Sequence, residues 1–419
     1  MIMILRRFDG SVYVDKLNDS TIKYEPMRAK LIKPFDGVPP RRMNRNKQLF
    51  LEKWLHSALE RKLIRRSNSR FTSPLLLVPK PPDGFRVTQD VSVLNGCLAQ
   101  IHAHIPVTRE LVAQIGGKNY YAQNDMVDAY YQFRVHPSVS ELYAFSTHMG
   151  NFEYCEILPQ GEKNAPAWTN NAMAHIFAPL REVHTYFDDH VISANEPSAL
   201  LDSLEKYLTL CLQYNIKLSR KKAKVGYPAI NALGFLISKK GYSPRETQVE
   251  KFLAAPFPTR DQLRSWFGLL NVFRDFLPDM TKVEAAFSAV RKKNAPWLVT
   301  SAMRNAFDYA QEQVAGIDML VFPDYDKPLY VDADASHLGC DAMLYQYDTT
   351  GNTKLPLRFI AHVFTAAALK WSTIEKECYA LVKAFNTFEN LLLGRVFIVR
   401  TDHRSLLWMQ HSISAKVQR

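Results

Sequence analysis

Residues 184–194 decide the fold of this chain, and their sequence is His184-Thr185-Tyr186-Phe187-Asp188-Asp189-His190-Val191-Ile192-Ser193-Ala194. Two short apolar runs, at 184–187 and 191–194, flank an aspartate pair. Runs of this length, separated by polar residues, predict a β-hairpin with the pair at its turn. Because aspartate is a common turn residue, a solvated turn is the simple alternative to a functional site.

The segments around the hairpin predict the sheet that carries it. Residues 120–126 have the pattern of a strand, and residues 127–131 have that of a helical start. Residues 165–177 and 197–214 have helical patterns, and residues 232–238 again favour a strand. In chain order these segments give β-α-β-β-α-β, the split βαβ arrangement.

A third carboxylate changes the interpretation of the aspartate pair. Asp125 ends the first predicted strand, and we expect the hairpin with Asp188 and Asp189 beside it. Three carboxylates at one sheet edge repel each other unless cations neutralise them, and Mg²⁺ prefers such oxygen ligands. Two ions about 4 Å apart can clamp the attacking and leaving oxygens of a phosphoryl displacement. The pattern therefore indicates a site for two metal ions.

The rest of the chain predicts further structured segments. Residues 51–63 have the spacing of an amphipathic helix, and residues 71–80 and 85–93 predict two strands joined by a turn. Residues 248–312 are mostly helical in pattern. From residue 328 the order becomes β-β-β-α-β, which predicts a separate small α/β domain.

Composition limits the class of protein. The chain has 419 residues, 47% of them apolar, and a net charge of +12, which is compatible with a polyanionic partner. Its five cysteines lack metal-ligand spacing and favour free thiols in a reducing compartment. No apolar run approaches the roughly 18 residues that span a bilayer. The basic residues concentrate in a first cluster (Arg41, Arg42, Arg45, Lys47, Lys53, Arg61, Lys62, Arg65, Arg66, Arg70) and a second (Lys217, Arg220, Lys221, Lys222, Lys224).

The motifs resemble one family in order along the chain. Tyr186-Phe187-Asp188-Asp189 resembles the Tyr-x-Asp-Asp signature of reverse transcriptases, and residues 125–131 resemble the motif that carries their first metal-binding aspartate. Other resembling segments are the fingers (71–95), the template and nucleotide loop (158–167), the primer grip (232–235) and a following helical segment (264–276). From residue 25 onward the chain resembles the reverse transcriptase and ribonuclease H region of a gypsy-class long-terminal-repeat retrotransposon Pol polyprotein.

The resemblance implies roles for residues of a polymerase site. Asp125, Asp188 and Asp189 would be catalytic and would hold two Mg²⁺ ions, with Mn²⁺ as the alternative. The residues implied to bind the nucleotide are Lys80, Arg86, Tyr130, Gln160 and Lys222.

The nucleotide contacts have distinct implied functions. Lys80 and Arg86 would neutralise the triphosphate, and Tyr130 would lie under the sugar and exclude a 2′-hydroxyl. Gln160 would touch the incoming nucleotide, although gypsy elements usually have phenylalanine there. Lys222 would give a proton to pyrophosphate, with a phosphate contact or a solvated charge as the alternatives.

A second carboxylate set resembles that of ribonuclease H. Asp334, Glu377 and Asp402 would be catalytic and would bind two metal ions that cut the RNA of a hybrid. Asp332 and Glu375 are nearby alternatives that match the motifs less well. The family's domain continues beyond this point to a fourth carboxylate, so we expect a C-terminally truncated, impaired ribonuclease H domain.

The expected fold is α/β (α+β): a right-hand polymerase with a βαββαβ palm, a helical thumb or connection, and a partial ribonuclease H-like domain. The expected bounds are 1–245 for fingers and palm, 246–322 for thumb or connection, and 323–419 for the last domain.

The expected function is DNA synthesis on RNA and DNA templates. The expected partners are an RNA template, a DNA primer, an RNA–DNA hybrid and dNTPs, without a membrane, and a dimer is left open. We expect the protein in the cytoplasm, within a retrotransposon particle, or in the nucleus, and we do not expect it to be secreted. An inactive nucleic-acid-binding remnant is the main alternative, and a stand-alone ribonuclease H-like nuclease is a weaker one.

Overall fold

The computed structural model describes residues 1–17, 22–80, 84–103, 105–292, 295–403 and 406. The chain divides into two compact units, residues 1–233 and residues 234–419. The predicted turn at 81–84 lies mostly outside the described residues, as do residues 407–419 of the predicted last domain. Among the described residues, no helix has the length and apolar character to cross a membrane.

The first unit contains twelve strands among its described residues. They are β1 (Tyr13–Val14), β2 (Ile64–Arg66), β3 (Thr72–Pro79), β4 (Phe85–Gln89), β5 (Tyr120–Asp125), β6 (Ala144–Thr147), β7 (Gly150–Tyr154), β8 (Val183–Tyr186), β9 (Asp189–Ala194), β10 (Leu218–Ser219), β11 (Lys224–Tyr227) and β12 (Ala229–Ala232). Its helices are α1 (Ile2–Phe8), α2 (Arg45–Glu60), α3 (Ser92–Cys97), α4 (Thr108–Ile115), α5 (Pro137–Ser140), α6 (Ala165–Phe177) and α7 (Pro197–Gln213), with 3₁₀ turns at Ala129–Gln132 and Glu141–Tyr143.

Two sheets organise this unit. The central sheet has the order β11-β5-β9-β8 and is antiparallel. The order β5, α6, β8, β9, α7 and β11 agrees with the predicted β-α-β-β-α-β order, but the last strand was wrongly placed: it is β11, and the predicted strand at 232–238 lies outside this sheet. The outer sheet has the order β2-β7-β6-β3-β4. β1 pairs in parallel with β10, which brings the start of the chain to the central sheet.

Helix α7 shows why the central sheet has a buried face. Its apolar residues recur at helical spacing, and Leu200, Leu204, Tyr207 and Cys211 are all buried. They pack in one core with β5 and β9, whose residues are nearly all buried as well. The opposite face at the ends of β5 and β9 is thereby left to carry polar groups.

The second unit combines helices with two sheets. Its strands are β13 (Phe235–Ser238), β14 (Gly241–Pro244), β15 (Leu320–Val321), β16 (Leu329–Ala335), β17 (Gly339–Tyr347), β18 (Lys354–Val363) and β19 (Phe397–Arg400). Its helices are α8 (Glu246–Leu253), α9 (Leu263–Leu270), α10 (Met280–Phe287), α11 (Ser301–Ala315) and α12 (Thr373–Leu392), with 3₁₀ turns at Arg274–Phe276 and Ala368–Lys370. β13, β14 and β15 are antiparallel, and the last sheet has the order β18-β17-β16-β19 with β19 parallel to β16.

The unit has a helical core and a sheet core. Trp266 and Phe287 lie in the helical core, and Ala384 and Phe388 of α12 pack on the last sheet. The β-β-β-α-β order predicted from residue 328 is therefore confirmed.

Three predicted elements differ in detail. The strand predicted at 85–93 ends at Gln89, because the Asp90 carboxylate accepts from the backbone N–H and hydroxyl of Ser92 and starts α3. The strand predicted at 232–238 is interrupted at Leu233 and Gly234, which have φ values of 54° and 90°. The hairpin turn is shorter than predicted, since Asp189 and His190 already belong to β9.

Candidate active site

The central sheet places Asp125 and Asp189 side by side. Asp125 is the last residue of β5 and Asp189 is the first of β9, and the two are direct partners in the antiparallel register. Direct partners point to the same face, with Cβ atoms about 4.5–5.5 Å apart. Both carboxylates therefore face the same side of the sheet at the same strand end.

Asp188 joins this group from the hairpin turn. Because Tyr186 pairs with Asp189, the turn consists of Phe187 and Asp188 alone. Phe187 has a φ of 55°, in the left-handed region that bulky residues rarely occupy. The backbone N–H of Met126 donates to the Asp188 carbonyl oxygen at 3.1 Å, which ties the turn to the end of β5. Backbone strain at Phe187 thus accompanies the placement of the third carboxylate.

Lys222 supplies a positive charge to the group. Its Nζ lies 2.7 Å from Oδ2 of Asp125, and the Asp125 side chain is only 15% exposed. The hydrogen bond with Asp125 raises the pKa of Lys222, and the negative charges of Asp188 and Asp189 raise it further. The predicted nucleotide contact is therefore bound to a predicted metal ligand in this structure.

The donor set fits a hard divalent cation. The three aspartates offer carboxylate oxygens at one sheet edge, which is the chemistry that Mg²⁺ and Mn²⁺ accept. The Lys222 ammonium already contacts one of these carboxylates as a cation. In the described part of the chain, no three His, Cys, Asp or Glu side chains are close enough together to hold a metal ion. The three aspartates therefore do not form a complete metal site in this structure.

A cavity of about 1090 Å³ lies beside Asp188. Ligand pockets usually measure about 300–1,000 Å³, so a nucleotide fits this volume. Its lining includes all five residues predicted to bind the nucleotide: Lys80, Arg86, Tyr130, Gln160 and Lys222. The structure thus brings these residues together with Asp188.

Tyr130 lies in the 3₁₀ turn Ala129–Gln132 directly after β5. Asp128, with a φ of 46°, turns the chain into it. The Gln132 side chain then donates to the carbonyl oxygens of Val127 at 2.7 Å and Lys217 at 2.8 Å, which fixes the turn. Burial raises the pKa of Tyr130, and the negative charge of Asp188 adds to this.

The loop that carries Gln160 is tied to α3. The Asn95 amide donates to the Gly161 carbonyl oxygen at 2.9 Å and accepts from the Lys163 N–H at 3.0 Å. Gly161 has a φ of 103°, and a Cβ there would lie 3.1 Å from the Gln89 carbonyl oxygen. Only glycine therefore suits this position without strain.

Glu162 is a buried carboxylate just before α6. Its carboxylate accepts from the Asn164 backbone N–H at 2.6 Å and from the Asn164 side chain at 3.1 Å, at the start of α6. Burial raises the pKa of Glu162 to about 7, although the hydrogen bonds from Asn164 oppose the shift. The buried carboxylate thus supplies an acceptor at a helix start, where backbone N–H groups lack partners within the helix.

The sequence prediction missed a buried polar layer behind the carboxylates. Asn124 and His190 are fully buried on the opposite face of the sheet, next to Tyr13 and Tyr207. Burial lowers the pKa of His190 to about 4, while the negative charge of Asp125 opposes this. The signal in the sequence is a polar residue next to each aspartate, on the side of the strand that faces the core: Asn124 before Asp125 and His190 after Asp189.

The second predicted site lies in the last sheet. Asp334 is on β16, Glu377 is buried on α12, and Asp402 follows β19, which runs parallel beside β16. Burial raises the pKa of Glu377, and the negative charges of Asp334 and Asp402 add to this, while the Ala335 backbone N–H donates to its carboxylate. Asp334 and Asp402 are therefore each near enough to Glu377 to raise its pKa.

The structure separates these residues from the alternatives in the sequence. Asp332 accepts from Lys354 at 2.6 Å and from the Tyr345 hydroxyl at 3.0 Å. Glu375 accepts from the backbone N–H of Ser372 at 2.8 Å in a capping box that begins α12. Both alternatives thus have structural partners.

Asp341 is a carboxylate near this site that the motifs did not indicate. It is the direct partner of Asp334 across β16 and β17, and both line a cavity of about 300 Å³. Burial raises the pKa of Asp341 to about 6, and the negative charges of Asp279 and Asp334 add to this.

The two basic clusters are used differently. In the first, Arg65 pairs with Glu153 at 2.7 Å and Arg61 donates to the Leu17 carbonyl oxygen at 2.7 Å, whereas Arg42 and Arg45 are exposed. In the second, Arg220 pairs with Asp9 at 2.7 Å. Several of these basic side chains therefore make contacts within the folded chain.

Comparison with known families identifies two segments. Residues 78–237 match the model of the family "Reverse transcriptase (RNA-dependent DNA polymerase)", and residues 324–419 match that of the "RNase H-like domain found in reverse transcriptase".

Curated proteins similar to the chain include transposon polyproteins. The chain is 30% identical over 374 residues to the Retrovirus-related Pol polyprotein from transposon 297 of Drosophila melanogaster, covering 87% of this chain and 35% of that protein. It is 25% identical to the Transposon Tf2-3 polyprotein of Schizosaccharomyces pombe, covering 84% of this chain and 27% of that protein. The chain therefore spans about a third of the length of these relatives or less.

Solved structures share the fold. The foamy viral protease-reverse transcriptase in complex with dsDNA has a TM-score of 0.87 at 21% identity, covering 98% of this chain and 86% of that one. The same protein in complex with RNA/DNA hybrid has a TM-score of 0.81 at 20% identity, covering 100% of this chain and 58% of that one. The predicted α/β polymerase fold is thereby confirmed.

Proposed function

We propose that this chain, which carries a reverse transcriptase domain and an RNase H-like domain and is related to transposon Pol polyproteins, extends a DNA primer on RNA and DNA templates with dNTPs. The proposed parent is a gypsy-class retrotransposon Pol polyprotein, with synthesis in a cytoplasmic particle. Residues 1–245 act as fingers and palm, and residues 246–322 act as thumb or connection.

One observation supports this proposal above the others. Asp125 and Asp189 are register partners, and the two-residue turn brings Asp188 to the same strand end beside a nucleotide-sized cavity. Carboxylates so placed repel each other, and Lys222 pairs with only one of them, so a bound cation would relieve the remaining repulsion. Phosphoryl transfer on metal ions uses this arrangement.

The bound metal ions would be two Mg²⁺, or Mn²⁺ in their place, and when bound they would stabilise the charge that develops on the reacting oxygens. Asp125, Asp188 and Asp189 would hold them. Lys222 neutralises Asp125 before an ion arrives, which lowers the repulsion among the three carboxylates.

The remaining cavity residues would orient the nucleotide. Lys80 and Arg86 bring positive charge to the triphosphate. Tyr130 presents a half-buried ring to the sugar, where an added 2′-hydroxyl would collide with it. Gln160 lies on a loop whose backbone is held by Asn95, so the loop itself need not become ordered when the Gln160 amide contacts the nucleotide.

The last sheet would carry a ribonuclease H function. Asp334, Glu377 and Asp402 would hold the metal ions for cleavage of RNA in a hybrid, and the raised pKa of Glu377 is consistent with carboxylates gathered for a cation. This activity is proposed separately, because the site lies in a different unit from the polymerase residues.

Primer extension on poly(rA)/oligo(dT) tests the proposal. The purified chain should extend the primer with dTTP in Mg²⁺ or Mn²⁺ and should stop when EDTA is added. Hybrid binding without any extension in either metal would favour the inactive remnant and would reject the polymerase assignment.

A further inference from the structure

A buried polar pair lies directly behind the carboxylates. Asn124 and His190 are register partners in β5 and β9, and each is 0% exposed. Asn124 precedes Asp125 and His190 follows Asp189 in the chain. Because strand side chains alternate between faces, the pair points into the core while Asp125 and Asp189 point away from it.

Each member of the pair is held by a tyrosine from another element. The Tyr13 hydroxyl, on β1, donates to Oδ1 of Asn124 at 2.7 Å. The Tyr207 hydroxyl, on α7, lies 2.6 Å from Nδ1 of His190. The strand ends that carry the carboxylates are therefore attached on one side to the start of the chain and on the other to a core helix.

Stability alone does not explain the pair. Nδ2 of Asn124 and Nε2 of His190 are buried and have no hydrogen-bond partner within the described residues. Buried polar atoms without partners destabilise a fold, and an apolar pair of similar shape would avoid this. The neighbouring buried residues Ala122 and Ile192 show that the site accepts apolar side chains.

The buried pair disfavours a shift in the register of β9 against β5. Slipping β9 by one residue against β5 would turn His190 out of the core, break its contact with Tyr207, and turn Asp189 inward. Mg²⁺ demands near-ideal octahedral geometry with distances of about 2.0–2.1 Å, so small shifts of its carboxylates matter. Polar groups that permit one pairing only would protect this geometry.

β1 extends this attachment to Lys222. Tyr13 pairs with Leu218, and the Leu218 N–H donates to the Val12 carbonyl oxygen at 2.9 Å. Lys222, which contacts Asp125, follows shortly after in the chain. Tyr13 therefore contacts the strand of one predicted metal ligand and the segment that leads to its cationic partner.

We infer that Tyr13, Asn124, His190 and Tyr207 are positioning residues, which act through the backbones of β5 and β9 to hold Asp125 and Asp189 in the arrangement that binds metal ions. The inference rests on the proposed function. It adds to that function a part of the chain, around Tyr13, that lies before the segment matched by the reverse transcriptase family.

Two tyrosine substitutions test the inference in the full chain. Tyr13→Phe and Tyr207→Phe each remove one hydroxyl and keep the ring. We expect Mn²⁺ binding, measured by calorimetry, to weaken several-fold, which is less than the roughly 10–100-fold typical of partners bonded directly to a metal ligand, because these hydroxyls act through the strand backbones. The Mg²⁺ concentration for half-maximal extension should rise in parallel.

Tyr121→Phe is the matched control. Tyr121 lies in β5 and is fully buried like Tyr207, but its hydroxyl accepts from the Lys118 N–H at 3.1 Å and not from Asn124 or His190. This variant should bind Mn²⁺ as the wild type does. A second variant, Asn124→Leu with His190→Val, covers the case in which a tyrosine variant fails to fold, and it should unfold at or above the wild-type temperature while binding Mn²⁺ at least several-fold more weakly.

The outcomes separate the two claims. Wild-type Mn²⁺ affinity in Tyr13→Phe, Tyr207→Phe and the double variant would overturn the positioning role and leave the polymerase assignment intact. A wild-type chain that neither binds Mn²⁺ nor extends a primer would overturn the proposed function and this inference with it.

Discussion

Nζ of Lys222 and Oδ2 of Asp125 lie 2.7 Å apart, although 97 residues separate them in the chain. The contact places an ammonium group where a metal ion would otherwise neutralise the carboxylate. Under the proposed function, lysine and metal ion would compete for Asp125, and Lys222 would become available to the nucleotide phosphates when an ion takes its place.

Lys222→Gln tests this competition. Removing the ammonium charge should tighten Mn²⁺ binding several-fold, because a positive charge at hydrogen-bond distance opposes a second cation. Extension should slow at saturating metal, since a phosphate contact is lost. Calorimetry and extension assays measure the two effects. Weaker Mn²⁺ binding in this variant would contradict the competition.

Tyr130→Val tests the predicted sugar contact. Replacing the ring by a smaller side chain should raise the incorporation of ribonucleotides relative to deoxynucleotides. Tyr130→Phe is the control, because it keeps the ring and should keep the discrimination. The ratio of kcat/KM for dTTP and UTP on one primer measures it. An unchanged ratio in Tyr130→Val would assign the discrimination to another residue.

Glu162 predicts a dependence of stability on pH. Its pKa is raised from 4.5 to about 7 in the fold, so the folded state holds the proton more tightly than the unfolded state. The resulting stabilisation is complete below about pH 4.5 and is lost as pH rises through about 7. The expected loss is about 3 kcal/mol, since each unit of pKa difference corresponds to about 1.4 kcal/mol.

Glu162→Gln should remove this pH dependence, because the glutamine side chain has nearly the shape of the glutamic acid side chain and does not ionise. Denaturant unfolding between pH 5 and pH 8 measures the difference between the two proteins. If wild type and variant have parallel pH profiles, Glu162 is not the responsible group.

The exposed arginines of the first basic cluster predict salt-dependent binding. Arg42→Gln with Arg45→Gln should lower the slope of log K against log salt by about 2, since each phosphate contact contributes about 1. Arg65→Gln should change the slope less, because the Arg65 guanidinium already pairs with Glu153 in the wild type. Hybrid binding measured from low to high salt gives the slopes. A flat titration of the wild type would show that these charges do not contact phosphates.

Glu377 and Glu375 make a matched test of the second site. Glu377→Gln should abolish any hybrid cleavage, and it should leave the unit as stable or more stable, because burial and the charge of Asp334 already disfavour the ionised acid. Glu375→Gln should keep the hybrid cleavage and the stability of the wild type, since glutamine also completes a capping box. Cleavage of labelled RNA in a hybrid and thermal unfolding are the measurements. Cleavage that persists in Glu377→Gln would remove this residue from the site.

Local patterns predicted the elements that carry the candidate site. The apolar runs around Asp188 and the strand before Asp125 were sufficient to predict the hairpin beside that strand, and the register now shows Asp125 opposite Asp189. Alternation of side chains is a local property, so it can be read from a single chain.

Distant contacts could not be predicted in the same way. The hydrogen bond between Tyr13 and Asn124 joins residues 111 positions apart, and no local pattern specifies it. The choice between Glu375 and Glu377 likewise depends on where α12 begins, because the residue at its first turn is used for capping. Such roles follow from tertiary structure and not from residue type.

The central claim is that Asp125, Asp188 and Asp189 form one site for DNA synthesis, and Asp188→Asn tests it most directly. Primer extension on poly(rA)/oligo(dT) should fall by at least about 100-fold, while hybrid binding stays near the wild-type value, because the change removes one charge and no packing. Asp202→Asn, an exposed aspartate on α7, is the matched control and should extend as the wild type does. Near wild-type extension by Asp188→Asn would contradict the account.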